Sequence, residues 1–317
     1  MSDTIVLLHG SATGSSSWDP VAGSLTSSGA RVFAPDLLGY GQSAVLTGSY
    51  GIAEEVAHLV RLLDLQPYAF NGTIYAVGHI GTFHLVTHSL GSLIGLHLRR
   101  ALGARVTRLT LIDPVVVSVL RECGEDAAYA EMEDQYQRFM SLSANREAAA
   151  HLFVDHWSGT GAWDAMGTRG RAMATSLVPK LRLEMTATRS DTATLAWLAE
   201  SPPPTTILIG EKTLLAPRAV ARLLGAALEA TTVVVPGAAH MIPITHPEAV
   251  VDAIQREVVP QTEAKENDHE RSPGGHDRAS AIPFEVRDER ANRSHNDRKW
   301  KGETVQRATR AGRMTAR

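Results

Sequence analysis

The stretch from Phe83 to Ser92 constrains the fold of this chain most strongly, because a strand-like run ends at a serine and a helical pattern begins at once. β-branched and aromatic residues precede Ser89, and apolar residues recur after it every three or four positions. A strand that turns directly into a helix places Ser89 at the edge of a sheet. Gly91 favours close approach of the helix to the strand. A serine that only caps the helix is the alternative interpretation.

Two further loops accompany this turn. An apolar run from Thr4 to Leu8 ends in the sequence His9-Gly10-Ser11. Near the other end of the fold, a β-branched strand leads into a loop that ends at His240. An imidazole directly after a strand is well placed to act as a base, whereas a buried structural histidine is the alternative. For His9 the structural role is favoured, with the ring packed under its loop.

These three motifs, taken in their order and separation over residues 1–258, resemble the α/β-hydrolase superfamily. The resemblance implies that Ser89 is a nucleophile and that His240 is its general base. It also implies that the backbone N–H groups of Ser11 and Leu90 form an oxyanion hole. The pattern GxSxG is met at one glycine only.

The acid of the implied triad departs from the common pattern of the family. Thr213 occupies the position where most members carry an aspartate, and a threonine cannot supply the negative charge that orients an imidazole. Some members take the acid from the end of the strand that follows the nucleophile helix, where this chain has Asp113. We therefore predict Asp113 as the acid, with Glu211 as the alternative. The order Ser89, Asp113, His240 is the chain order of the family.

The predicted fold class is α/β: a mostly parallel sheet with helices on both faces, the α/β-hydrolase fold, and a helical cap insertion. Strand-rich and helix-rich stretches alternate over most of the chain, and Asn71-Gly72 predicts a hairpin turn. The predicted domains are a core formed by residues 1–116 and 205–260, a helical cap at 117–204 and a disordered charged tail at 261–317. The tail has 13 Lys and Arg against 10 Asp and Glu and few apolar residues.

Two indoles in the predicted cap are candidates for the wall of a substrate pocket. Asn145 predicts the start of a helix that leads to Trp157, and Trp163 follows after a glycine-containing loop. Packing inside the cap is the commoner fate of such aromatic residues. Above a hydrolase site they would equally form an acyl or aryl pocket.

The amino-acid composition bears on where the protein is found and on what it binds. Cys123 is the only cysteine, so no intramolecular disulfide and no cysteine-based metal site can form. Because the sequence lacks a secretory signal or a long apolar run, we expect a cytoplasmic protein with no membrane partner. His79, His84 and His88 are not expected to bind a metal. The mixed charges of the tail do not favour nucleic-acid binding, and the oligomeric state is not predicted.

The resemblance implies a serine hydrolase that needs no cofactor and cleaves a small or medium carboxylic ester through an acyl-enzyme. The small-molecule ester is the expected partner. Lactone, thioester or C–C bond hydrolysis with the same three residues is the enzymatic alternative. A non-catalytic ligand-binding protein of the same fold is the other alternative, which Thr87 and Thr213 favour because they depart from the family pattern.

Overall fold

The computed structural model describes residues 4–43, 49–64, 68–70, 73–75, 80–142 and 144–256. The strands are β1 (Thr4–Leu8), β2 (Arg31–Phe33), β3 (Tyr68–Phe70), β4 (Thr73–Tyr75), β5 (Phe83–His88), β6 (Val106–Ile112), β7 (Thr205–Gly210) and β8 (Thr231–Val235). The helices are α1 (Asp19–Ser27), α2 (Ile52–Asp64), α3 (Leu90–Leu102), α4 (Val117–Glu122), α5 (Asp126–Leu142), α6 (Arg146–Ser158), α7 (Ala162–Ala165), α8 (Thr168–Ser190), α9 (Leu195–Leu198), α10 (Leu215–Ala227), α11 (Ile242–Thr245) and α12 (Pro247–Arg256).

Six strands form one sheet in the order β2-β1-β5-β6-β7-β8, and every neighbouring pair is parallel. The predicted parallel sheet is confirmed. Strand β1 is buried from Ile5 to Leu8, as expected of a parallel strand that is covered on both faces. Strands β3 and β4 pair antiparallel with Phe70 opposite Thr73, which agrees with the predicted hairpin. The turn residues Asn71 and Gly72 lie outside the described residues.

Helices cover both faces of the sheet, so that successive residues of one strand enter different cores. Leu7 of β1 and Val86 of β5 pack with apolar side chains of α1 and α12. Leu8 and Leu85 pack with those of α2, α3 and α10. The sheet is therefore the middle of three layers, with the carboxyl ends of β5, β6 and β7 adjacent to one another.

A helical insertion separates β6 from β7. Its helices are α4 to α9, and the described residues 117–142 and 144–204 contain no strand. Helix α6 begins as predicted, because the side chain of Asn145 accepts a hydrogen bond from the N–H of Ala148. The predicted tail at 261–317 lies outside the described residues. Among the helices that are described, none has the length and apolar content needed to cross a bilayer.

Candidate active site

Ser89 occupies the tight turn between β5 and α3. Its backbone has φ 56° and ψ −123°, a conformation that L-residues rarely adopt and that costs about 1–3 kcal/mol. The N–H of Ser89 donates to the Ile112 carbonyl oxygen at 3.0 Å, which holds the turn against β6. A Cβ at Gly91 would lie 2.6 Å from the His9 carbonyl oxygen, so only glycine permits this approach of α3 to β1.

The departure from GxSxG at Thr87 is accommodated by a glycine further along the helix. The Thr87 methyl group would lie 2.5 Å from a Cβ at Gly95. The hydroxyl of Thr87 lies 3.0 Å from Ser92 Oγ, so the polar atom is satisfied inside the core. Gly95 therefore provides the space for strand and helix that the absent glycine provides in the common motif.

His240 and Ser89 are in hydrogen-bond contact although 151 residues separate them along the chain. The distance from His240 Nε2 to Ser89 Oγ is 2.9 Å, and both residues are buried. The other ring nitrogen, Nδ1, lies 2.6 Å from Asp113 Oδ2. With Nδ1 protonated, the ring donates to the carboxylate and its Nε2 is free to accept the hydroxyl proton of Ser89.

Asp113 follows β6 in a left-handed conformation, with φ 46°. The carboxylate is fully buried, and Oδ1 accepts a hydrogen bond from the N–H of Gly210 at 3.3 Å. Its Oδ2 also accepts a hydrogen bond from the Thr213 hydroxyl. Thr213 therefore stabilises a carboxylate that comes from the neighbouring strand, in place of supplying one itself.

Glu211 lies apart from this cluster. It is exposed, and its Oε2 accepts a hydrogen bond from the N–H of Gly237 at 2.8 Å. Asp113, and not Glu211, is the carboxylate that contacts the ring of His240.

Residue contacts around His240 include one that the sequence did not indicate. His88 Nε2 donates to the His240 carbonyl oxygen at 2.8 Å, and the two ring centroids are 4.9 Å apart. Burial lowers the pKa of His88 to about 3, so its ring is neutral and its single proton serves this hydrogen bond. His88 thus fixes the backbone of the loop that carries His240. Its position directly before Ser89 is the only signal for this role in the sequence.

Ser11 and Leu90 both lie beside Ser89 in the wall of one cavity. Leu90 is the first residue of α3, so its N–H has no partner within the helix. A Cβ at Gly10 would lie 2.8 Å from Ser89 Cβ, so the loop after β1 approaches Ser89 closely. His9 supports this loop from below: Nδ1 donates to the Gly10 carbonyl oxygen at 2.7 Å.

The ring of His9 is also fixed from its other side, where Nε2 accepts a hydrogen bond from the N–H of Leu37 at 3.0 Å. Burial lowers the pKa of His9 to about 4, which keeps the ring neutral at physiological pH. Both ring nitrogens are therefore used by the backbone, in agreement with the structural role favoured for His9.

A buried polar network joins the insertion to the loop after β1. The Tyr40 hydroxyl accepts a hydrogen bond from the N–H of Ala12 at 2.9 Å and donates to Glu184 Oε2 at 2.9 Å. Lys180 Nζ lies 3.4 Å from Glu184 and 2.9 Å from Glu55. Burial raises the pKa of Glu184, and the charge of Lys180 partly offsets this. Ala12 has φ 61°, so the N–H of a strained residue is bonded to Tyr40, which in turn is bonded to α8.

A cavity of about 520 Å³ lies between the sheet edge and the insertion, with Ser89 and His240 in its wall. Its volume is in the range typical of small-molecule sites. Trp157 also lines it, and its ring centroid lies 4.3 Å from that of His240. This is the position expected for an indole above the site.

Trp163 is placed differently from Trp157. The residue is buried but does not border this cavity, because its ring stacks on His151 at 5.5 Å inside the insertion. The Asp155 carboxylate accepts the N–H of Trp163 at 2.8 Å and fixes α7 in the orientation that packs the indole there.

Metal-binding clusters are absent from the described residues, where no three His, Cys, Asp or Glu side chains are suitably grouped. His84 Nε2 contacts the Thr110 hydroxyl at 2.8 Å, and His88 contacts the His240 backbone. His79 lies outside the described residues. Cys123 is exposed.

The sequence of this chain is similar to those of known proteins. The model of the Alpha/beta hydrolase family matches residues 5–253. The Arabidopsis thaliana protein named probable lysophospholipase BODYGUARD 3 is 30% identical over 115 residues, which are 35% of this chain and 21% of that protein. This chain thus matches about a fifth of the length of that curated relative.

Solved structures share the fold at low identity. An esterase from Thermogutta terrifontis has a TM-score of 0.59 at 20% identity, covering 81% of this chain and 90% of its own. An enol-lactonase from Burkholderia xenovorans has a TM-score of 0.60 at 20% identity, covering 81% of this chain and 92% of its own. At such identity the likeness shows the fold alone.

Proposed function

This chain belongs to the alpha/beta hydrolase family, and from that membership and the site geometry we propose that it is a serine hydrolase cleaving small or medium carboxylic esters. The observation that carries this proposal is the hydrogen-bonded series Ser89, His240 and Asp113 in the wall of one cavity. Each side chain has the partner that its proposed role requires.

In the first step, Ser89 Oγ attacks the ester carbonyl carbon while His240 Nε2 takes the hydroxyl proton. The negative charge of Asp113 stabilises the resulting imidazolium and keeps Nδ1 as the donor. The carbonyl oxygen becomes an oxyanion, for which we propose the N–H groups of Ser11 and Leu90 as donors. Collapse of the tetrahedral intermediate breaks the ester C–O bond, and the imidazolium gives its proton to the departing alkoxide.

The second half of the reaction uses the same groups in reverse. A water molecule attacks the acyl-enzyme carbonyl carbon, and His240 accepts one proton from it. The C–O bond to Ser89 then breaks, and the imidazolium returns a proton to the serine oxygen. The carboxylic acid is released. The reaction therefore consumes only the ester and one water molecule, and the protein groups return to their starting state.

The departures at Thr87 and Thr213 do not weigh against turnover in this proposal. Thr87 is accommodated by Gly95, and Thr213 donates a hydrogen bond to the proposed acid, Asp113. Lactone, thioester or C–C bond cleavage would use the same three side chains, and the bond is chosen by what the cavity binds. The described geometry therefore favours a catalytic protein over a ligand-binding one of the same fold.

The proposed reaction is tested with p-nitrophenyl esters of increasing acyl length, assayed beside lactones and thioesters of matched length. We expect kcat/KM to be largest for a carboxylic ester and to reach a maximum at small or medium acyl length, because a cavity of about 520 Å³ accommodates a small-molecule substrate. A lactone or thioester hydrolysed faster than every ester would replace the proposed bond class. Absence of turnover on the whole panel would contradict the proposal.

Replacing Tyr40 by phenylalanine tests whether the buried network holds the proposed oxyanion loop. The change removes the acceptor of the Ala12 N–H and the donor to Glu184. We expect kcat to fall about 10–100-fold with little change in KM, since a misplaced oxyanion donor acts in the transition state. Urea unfolding should show a loss of about 1–3 kcal/mol, because a buried carboxylate loses a partner.

The matched control for this variant is Tyr129→Phe on α5. Tyr129 is half-buried and does not line the cavity, so its hydroxyl has no role in the proposed loop. We expect this control to keep the kcat of the parent protein. A Tyr40→Phe protein that loses stability and retains full kcat would show that the network supports folding only.

A further inference from the structure

We propose that the cavity contains a subsite for a neutral hydrogen-bonding group of the substrate, formed by the side-chain amide of Gln135. This inference rests on the proposed ester hydrolysis and specifies its substrate: an ester that also carries a carbonyl, hydroxyl or carboxamide group away from the scissile bond. Three observations support it. The Gln135 amide has no hydrogen-bond partner among the described residues, the charged side chains of the cavity wall are paired, and Gln135 belongs to the helical insertion.

Gln135 belongs to α5, and it lines the cavity together with Met132 and Tyr136 of the same helix. The residue is 3% exposed. Neither the amide oxygen nor the amide nitrogen has a hydrogen-bond partner in the part of the chain that the structure describes. Buried polar groups are nearly always hydrogen-bonded. An unpaired amide that borders a ligand-sized cavity is therefore placed to bond with what enters the cavity.

The charged side chains of the cavity wall indicate that this group is neutral. Arg189 makes a two-pronged contact with Glu133, at 2.8 and 3.1 Å. Glu184 is bonded to Tyr40 and lies 3.4 Å from Lys180. The charged groups of this wall, within the described residues, thus already have partners of opposite charge or hydrogen bonds. A charged ligand group would be desolvated without a matching ion, whereas an amide offers both donors and an acceptor to a neutral group.

Gln135 is carried by a different part of the fold from the residues proposed to react. Ser89 and His240 lie at the sheet edge, whereas Gln135 is carried by the helical insertion. Phe153, also in the insertion, provides apolar wall in the same cavity. Trp157 adds an indole ring whose Nε1, like the Gln135 amide, is buried without a hydrogen-bond partner among the described residues. A substrate that matches this arrangement of apolar and neutral polar groups in the cavity wall is an ester with an apolar portion. That portion contains, or ends in, one neutral polar group.

The test uses p-nitrophenyl hexanoate, heptanoate and octanoate, each paired with the derivative that has an oxo group on the carbon next to the chain end. A second series places the same groups in the alcohol portion of hexanoate esters, with acid release followed by a pH indicator. In at least one pair we expect the parent protein to prefer the oxo ester by about 10-fold in kcat/KM, the value of one net hydrogen bond. We expect Gln135→Leu and Gln135→Met to reduce that ratio to about 1 and to raise kcat/KM for the plain ester.

Stability distinguishes a substrate role of Gln135 from a structural one. Leucine has a similar size and removes an unpaired amide, so we expect the urea midpoint of Gln135→Leu to be unchanged or higher. The matched control, Gln255→Leu, changes an exposed glutamine on α12 and should keep both the oxo preference and the activity.

Three results would overturn the subsite. The first is that the parent protein prefers no oxo ester by more than about twofold in any pair of either series. The second is that the oxo preference survives both Gln135 substitutions, and the third is that Gln135→Leu clearly lowers stability. Turnover of the plain esters in these cases leaves the proposed hydrolase function standing. If no ester of either series is turned over, the proposed function fails and this inference fails with it.

Discussion

Replacing Ser89 by alanine is expected to lower kcat for p-nitrophenyl esters by at least about 10⁴-fold, the loss associated with removal of a triad nucleophile. The change removes the oxygen that forms the acyl-enzyme, and it leaves His240 and Asp113 in contact with each other. The strained backbone at this position remains, so the free energy of unfolding should change little. Steady-state kinetics and urea unfolding of the same preparation measure both quantities.

The control for this experiment is Ser141→Ala on α5, where the hydroxyl is exposed and donates to the Arg138 carbonyl oxygen. This variant should keep the kcat of the parent protein. If Ser89→Ala retains more than about 1% of the parent kcat, the serine is not the nucleophile, because removal of a triad nucleophile is expected to lower kcat far more than about 100-fold.

The second large effect is expected for Asp113→Asn, which should lower kcat about 10⁴-fold with a small change in KM. An asparagine presents an N–H to His240 Nδ1 and so favours the tautomer that carries its proton on Nε2. That tautomer cannot accept the proton of Ser89. The variant keeps the shape of the carboxylate, so the hydrogen bond from Gly210 to the side-chain oxygen can still form.

Glu211→Gln is the matched control, since it makes the same chemical change on the alternative acid. Glu211 is exposed and bonds to the Gly237 N–H, an interaction that the glutamine oxygen can also accept. We expect its kcat to equal that of the parent protein. The opposite outcome, with Glu211→Gln inactive and Asp113→Asn at full turnover, would show that the acid is assigned to the wrong residue.

The turn at Ser89 was predictable because strand, turn and helix are local and each has its own sequence pattern. The choice of Asp113 was also within reach, because parallel strands that are neighbours bring their carboxyl ends together. Sequence alone does not show how Thr87 is tolerated. The compensation by Gly95 depends on the packing of α3 over β5, which involves two residues eight positions apart on different elements.

Contacts between distant side chains were the part of the site that sequence could not supply. Tyr40 and Glu184 are 144 residues apart, and nothing in either local pattern indicates that they are paired. Trp157 and Trp163 look equivalent in the sequence, yet only the first borders the cavity. Their orientations are determined by how the insertion packs, where the Trp163 ring stacks on His151.

Covalent labelling with a fluorophosphonate tests whether Ser89 is a nucleophile that His240 activates. The intact protein should gain the mass of one phosphonyl group, peptide mapping should locate it on Ser89, and Ser89→Ala should gain none. Asp113→Asn should be labelled far more slowly than the parent protein. A folded parent protein that gains no adduct, or gains it on another residue, would show that Ser89 is not the nucleophile.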